Sequence, residues 1–305
     1  MWLFFVFFVP KFAFSLALLY FCRMMKKTVL FVVLLLCIGL VCLVTCSIQS
    51  KNHEGENVGL FDASGVSRGS GTTIPKRGAP RIDIPLPLKG VSEQILYRKS
   101  YIVSYNKDYK IPNWVAWRLT AEHTDGNVKR PGNAWHEDTD VPAPRATRND
   151  FKGSGWTHGH LCPAGDNRWD AEAMYESFLL TNCCPQHANL NSGVWNEIER
   201  SCRQWAKRYG DLYIVCGPIL LRQKHETIGA NGIVVPEAFF KVIVCLDNAH
   251  PKGIGYVCRN TDGNQKKDFH VNSIKEVERI TGMTFFPNLP KKLAEKVKNS
   301  RDFAE

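Results

Sequence analysis

Short apolar strands at both ends of the ordered region, with one long amphipathic segment between them, predict an α+β domain built mainly on an antiparallel sheet around a central helix. Three observations carry this. Ser100 to Tyr105 and Asn113 to Leu119 are strand-like, with Asn106-Lys107-Asp108 between them as turn residues. Leu190 to Tyr209 carries apolar residues at helical spacing, with Val194, Ile198 and Trp205 on one stripe, and ends at Gly210. Three more strands follow, at Tyr213–Cys216, Phe239–Cys245 and Ile254–Cys258, without the regular strand–helix alternation of a parallel α/β fold.

Ahead of the domain, residues 1–46 read as a signal peptide or membrane anchor. Thr28 to Thr45 is almost wholly apolar, preceded by Met24-Met25-Lys26-Lys27 and followed by polar sequence, the layout of an export signal. The same run approaches the length of a membrane-spanning helix. Leu43-Val44-Thr45-Cys46 is similar to a lipoprotein cleavage box, so a lipid on Cys46 is a second route to the membrane. An upstream apolar stretch, Trp2 to Cys22, is broken by Pro10 and Lys11, and translation is expected to begin at Met24 or Met25. The expected location is outside the cytoplasm: periplasmic, on the outer surface as a lipoprotein, or secreted. Residues 47–93, rich in Gly, Ser and Pro, are expected to form a flexible linker. The folded domain is expected over residues 94–290, closed by a helix from Ser273 to Thr281 that stops at Gly282. Residues 291–305 are expected to form a charged, marginal helix.

The chain has 305 residues, 44% hydrophobic and 22% charged, enough for a sizeable core. Its formal charge of +10 favours a polyanionic partner, nucleic acid or an anionic membrane. Eleven cysteines include four in the targeting region. The other seven are an odd number, match no zinc spacing and have no legible pairing.

Two segments carry chemistry. The first is Thr157-His158-Gly159-His160-Leu161-Cys162-Pro163. If extended, it sends His158 and His160 to one face, and a histidine there suits a general base. The second runs from Asn182 through Pro185-Gln186 to Leu190-Asn191-Ser192-Gly193-Val194-Trp195-Asn196-Glu197-Ile198-Glu199. Taken singly, Asn191 reads as a helix cap and Glu199 as a surface charge. Taken together they can serve a hard cation: Mg²⁺ accepts an amide oxygen alongside phosphate oxygens, and a carboxylate can orient its waters. Zinc held by His158, His160 and a third histidine such as His136 or His187 is an alternative without a recognisable carboxylate spacing.

These segments resemble the DNA/RNA non-specific endonucleases of the ββα-metal, or His-Me finger, class (endonuclease G-like). The family's Asp-Arg-Gly-His is matched by Thr157-His158-Gly159-His160, and its Leu-Asn-x-Gly-x-Trp-x-x-Leu-Glu by Leu190 to Glu199. Weaker similarity extends from Leu96 to Pro287, including Trp114-Val115-Ala116, Gly217-Pro218, Val235-Pro236 and Thr281-Gly282. The resemblance implies a ββα-metal nuclease fold whose central helix binds the metal, with His160 as general base, Asn191 as Mg²⁺ ligand (Mn²⁺ as substitute), Glu199 orienting water, and Asn182 and Gln186 in support. It implies cleavage of DNA and RNA to 5′-phosphate ends. His158 departs from the family arginine and Thr157 from its aspartate. Imidazole cannot reproduce a bidentate phosphate clamp, a role for which Arg130 is the best match and Arg145 a second candidate. A non-catalytic exported nucleic-acid-binding protein is the alternative of another class. Oligomeric state is not legible.

Overall fold

A computed structural model describes residues 83–132, 134–246, 250–263 and 265–303. The expected signal or anchor, the lipid site at Cys46 and most of the linker lie outside the described residues. Among the described residues no helix is long and apolar enough to cross a membrane.

Eleven strands are present among them: β1 (Gln94–Tyr97), β2 (Tyr101–Asn106), β3 (Ile111–Leu119), β4 (Thr157–His160), β5 (Cys183–Gln186), β6 (Leu212–Ile219), β7 (Thr227–Ile228), β8 (Ile233–Val234), β9 (Ala238–Cys245), β10 (Lys252–Arg259) and β11 (Val271–Asn272). Seven form one sheet in the order β1-β2-β3-β6-β9-β10-β11, every neighbouring pair antiparallel. The main helices are α1 (Ala121–Asp125), α2 (Arg148–Phe151), α3 (Ala171–Ser177), α4 (Asn196–Tyr209), α5 (Ile274–Thr281) and α6 (Lys291–Asn299).

The sheet is covered on both faces, which explains why its strands read as apolar runs rather than clean alternations. Alternate residues still part company. Val115, Trp117 and Leu119 of β3 join Phe239 and Ile243 of β9 in the core under α4. Trp114 and Ala116 join Phe240, Val242 and Val244 in a second core, sealed by Ile274 and Val277 of α5 and by Val297 of α6. All eight residues of β9 are buried, and each fully buried Phe, Val or Ile there contributes about 1.5–3 kcal/mol. Helix α5 starts at a capping box between Ser273 and Glu276 and stops at Gly282, which adopts φ +71°.

The domain margins are more ordered than composition suggested. Asp83 is buried, Ile84 and Leu88 pack on the second core, and the Leu86 amide donates to Thr284 O at 3.1 Å. At the other end α6 packs beside β10, and Phe303 stacks on Trp205 at 4.4 Å between ring centroids. The tail's charges had hidden that apolar seam.

On the α4 face, β4 and β5 form a separate antiparallel hairpin that pairs Thr157 with Gln186 and His160 with Cys183. A single helical turn, Ala188–Leu190, leads into a widened π turn at Asn191–Trp195 and then α4. Hairpin and helix together are the ββα unit. The helix expected over Leu190 to Tyr209 is therefore present but broken at Gly193, whose φ/ψ of −93°/−115° leaves the helical region. A π turn of this kind is a common way of redirecting side chains at a functional site.

Candidate active site

The first segment forms a strand because Asn182 holds its exit. That buried amide accepts from Cys162 N at 2.9 Å and donates to Cys162 O and Ser177 O, both at 2.8 Å. Gly159 is required by its neighbour across the hairpin. A Cβ there would lie 2.4 Å from Gln186 Oε1 and 2.6 Å from Gln186 Cβ. Asn182 thus ties β4 down by hydrogen bonds, whereas the Gln186 side chain packs over Gly159 with its amide nitrogen and oxygen buried and without partners among the described residues.

His158 and His160 project to one face, as the strand period requires, and both rings lie against Trp135, at 5.0 and 4.3 Å. His158 is sandwiched between Trp135 and Phe151, the latter at 3.9 Å and nearly parallel. His160 is 9% exposed, and its Nε2 is buried without a hydrogen-bond partner. Burial, then Arg130 and His158, push the His160 imidazolium down to about 3; burial and Arg148 bring His158 to about 4. Both rings are neutral at neutral pH.

Asn191 does not cap the helix. His187 caps the preceding single turn, Ala188–Leu190, its Nδ1 accepting from Asn189 N at 3.2 Å, and α4 itself has no side-chain cap. The Asn191 amide nitrogen instead crosses to β4, donating to Thr157 Oγ1 at 3.1 Å and His158 O at 3.3 Å. Asn191 is one of the residues that line the cavity. Trp195 Nε1 ties the same junction together by donating to His160 O at 3.3 Å. The resulting cavity, about 780 Å³, is lined by His158, His160, Asn191, Glu199, Arg130 and Arg203 among others. Such a volume fits a ligand site.

Below the cavity floor lies a charge network. Asp166 is buried, accepting from Trp117 Nε1 and Arg203 Nη1, each at 3.0 Å. Lys241 is fully buried, and its Nζ has no hydrogen-bond partner but lies 4.4 Å from the Trp195 ring centroid and 5.3 Å from that of Trp117. Burial works against the Lys241 charge, while Glu199 and Asp166 are among the groups that favour it. Burial pushes the Glu199 carboxyl up to about 7, opposed by Lys241 and then by Arg203 and Arg130.

Arg130 lies at the cavity, 5.2 Å over the Phe178 ring. Arg145 does not: it pairs with Glu137 at 3.1 Å and donates to Val141 O. Histidines 136 and 187 also lie elsewhere, one stacked on Tyr175 and the other capping its turn. Among the described residues no three His, Cys, Asp or Glu side chains converge on a metal position, so the zinc reading lacks its third ligand. The seven cysteines are all reduced and buried, and Cys216 and Cys245 are small core residues of the sheet.

Residues 84–292 match the sequence pattern described as DNA/RNA non-specific endonuclease. The chain belongs to that family. It is 33% identical over 231 residues to the mitochondrial nuclease EXOG of Xenopus laevis, covering 70% of this chain and 64% of that protein. It is 32% identical over 228 residues to mitochondrial endonuclease G of Bos taurus, covering 70% and 76%. A chain from a crystal structure of the EndoG/EndoGI complex superposes with a TM-score of 0.62 at 29% identity, over 66% of this chain and 89% of that one. The ββα-metal fold read from the sequence is therefore correct. The chain spans less than two thirds of the frog protein's length.

Family membership sharpens what the sequence missed. Trp135 gave no signal, lying in an irregular stretch with no periodicity. Lys241 did give one, as a single cation inside the apolar run Phe239 to Cys245. Arg203 sits one turn beyond Glu199, on the cavity side of α4.

Proposed function

We propose that this protein is an exported, Mg²⁺-dependent nuclease that hydrolyses DNA and RNA phosphodiesters without sequence preference, with Mn²⁺ as a substitute. The observation that carries this reading is the Asn191 amide. Its nitrogen is committed to β4, which leaves the neutral oxygen as the amide's acceptor, and Asn191 lines the same cavity as His160, whose Nε2 has no hydrogen-bond partner among the described residues. A neutral amide oxygen, with Glu199 across the cavity, suits a hard cation that keeps most of its waters. When bound, Mg²⁺ supplies Lewis-acid stabilisation of charge on the phosphate and the leaving oxygen.

The chain's own groups account for the remaining steps. Neutral His160 accepts a proton at Nε2 from water, and that water's oxygen bonds to phosphorus. The bond to the 3′ oxygen breaks opposite it, leaving a 5′-phosphate, while the 3′ oxygen takes a proton from solvent. Arg130 and Arg203 offer positive charge to the non-bridging oxygens. Ionised Glu199 orients water at the Asn191 side. Cleavage without sequence preference follows from contacts centred on phosphate, which carry no sequence information.

Export rests on the basic start at Lys26-Lys27, the apolar run to Thr45 and the Cys46 box. Intact mass of the mature protein recovered from cells would show cleavage, lipid on Cys46, or retention of the segment. For activity, the full chain is incubated with plasmid DNA and with RNA, with Mg²⁺ or excess EDTA, beside His160→Ala. Metal-dependent degradation lost in the variant supports the reading. Retained DNA binding without any cleavage would overturn it in favour of a non-catalytic binder.

A further inference from the structure

A second depression opens directly off the active-site cavity. The two share Gly165, Arg168 and Arg203, and the second adds Thr124, Arg200, Gln204 and Lys207. Positions 200, 203, 204 and 207 fall within about 100° of arc on α4, so they present one face. Four cations therefore line about 430 Å³ of open groove.

These cations differ in what already neutralises them. Arg203 is held by buried Asp166, and Lys207 pairs with Asp125. Arg168 and Arg200 are exposed and form no salt bridge among the described residues, although Asp125 feels the charge of Arg168 as well as that of Lys207. Arg203 lies flat over Gly165, where a Cβ would meet its Nη1 at 2.8 Å. From Glu199 to Lys207 the helix rises about 12 Å, roughly the rise of three to four nucleotides of one strand. The lining is cationic, with no aromatic side chain to stack on a base.

We infer that this groove is an extended phosphate-binding track, which takes the sugar–phosphate backbone of a polynucleotide leaving the active site, with Arg168 and Arg200 as its principal contacts. This rests on the nuclease reading for the central cavity. With the track occupied, affinity comes from neighbouring phosphates, while the cleavage site needs only one. It also predicts that chain length, not base identity, governs efficiency.

The test uses the full chain and its Arg168→Ala/Arg200→Ala variant, with Lys292→Ala/Lys296→Ala as a control of equal charge change on α6. Both are assayed on a 30-nucleotide strand and a dinucleotide. Binding of the 30-mer is followed from 50 to 200 mM salt in EDTA. The Arg variant should lower the ratio of 30-mer to dinucleotide kcat/KM about tenfold, and reduce the slope of log K against log salt by about 1.4, the value for two phosphate contacts on a single strand. The control should change neither. An unchanged slope in the Arg variant, or an equal change in the control, overturns the track. If the wild type cleaves neither substrate, the nuclease reading fails on its own, while the binding slopes still decide the track.

Discussion

The ammonium of Lys241 lies 4.4 Å from the ring centroid of Trp195, whose own N–H holds the backbone of the proposed base, His160. A buried cation thus sits beneath the active site without a hydrogen-bond partner. Its neighbours explain its presence. It opposes the rise of the Glu199 carboxyl, and it faces Asp166, which is already shared by Trp117 and Arg203.

Lys241→Met should therefore separate stability from chemistry. Removing one member of a buried charge network costs about 3–5 kcal/mol when the charge left behind is uncompensated; Asp166 keeps Arg203, so the loss should fall below that range. Removing the cation lets Glu199 rise above about 7, so the pH of half-maximal activity on its acid limb should move to more alkaline values. Urea unfolding and a pH–rate profile check both. An unmoved limb would show that Glu199 does not have to ionise.

Thr157 stands where the family has aspartate, and its hydroxyl does two things: Oγ1 accepts from Asn191 Nδ2 at 3.1 Å and donates to Gln186 O at 2.7 Å. Thr157→Val removes both contacts while keeping the shape. Each net hydrogen bond is worth about 1 kcal/mol, so stability should fall by about 2 kcal/mol. Loss of an orienting partner should weaken apparent Mg²⁺ affinity by 10- to 100-fold. Activity titrated against Mg²⁺, with recovery at high concentration, checks the claim. A lower plateau with unchanged midpoint would count against it.

How much of this was legible depends on the type of signal. Periodicity found β2, β3, β6, β9 and β10, and the segment of α4, because each has an apolar face that must be buried. The spacing from Asn191 to Glu199 was readable because both lie on one helical segment. The partners of those residues were not. Trp135 and Phe151 reach His158 from loops and a four-residue helix, and tertiary contacts of that kind leave no periodic trace. The break at Gly193 was invisible for a related reason: one extra residue in a turn does not disturb the apolar stripe of Val194 and Ile198. Residues 291–299 looked like solvated tail because their charge outweighs the single buried Val297.

Both histidines of β4 link stability to pH. In the folded chain His160 titrates at about 3 and His158 at about 4, against about 6.5 when unfolded. The unfolded state thus binds protons first, and folding loses stability as pH falls from about 6.5 toward the folded values. Each histidine contributes about 1.4 kcal/mol per pH unit within its window. Glu199, raised to about 7, acts oppositely between about 4.5 and 7 and cancels about half of that slope. Comparing urea unfolding of wild type and His160→Phe isolates one histidine. The difference between them should grow by about 1.4 kcal/mol for each unit from about pH 3 to about pH 6.5. A constant difference would show that His160 keeps an ordinary imidazole pKa.

His158→Phe asks whether the departure from the family arginine has left a phosphate ligand or a spacer. Between Phe151 and Trp135 the imidazole is part of an aromatic stack, and its buried Nε2 has no partner. A phenyl ring keeps the stack and removes a polar atom that costs about 1–3 kcal/mol to leave unsatisfied. The variant should be more stable by about 1 kcal/mol, with kcat within threefold of wild type on DNA. The spacer role then falls to the ring, and positive charge at the phosphate to Arg130, which lines the cavity from the Phe178 side. Arg130→Ala should accordingly lower kcat by about 100-fold, the order seen when one transition-state donor is removed. Reversed magnitudes, a large loss in His158→Phe and a small one in Arg130→Ala, would return the phosphate contact to His158.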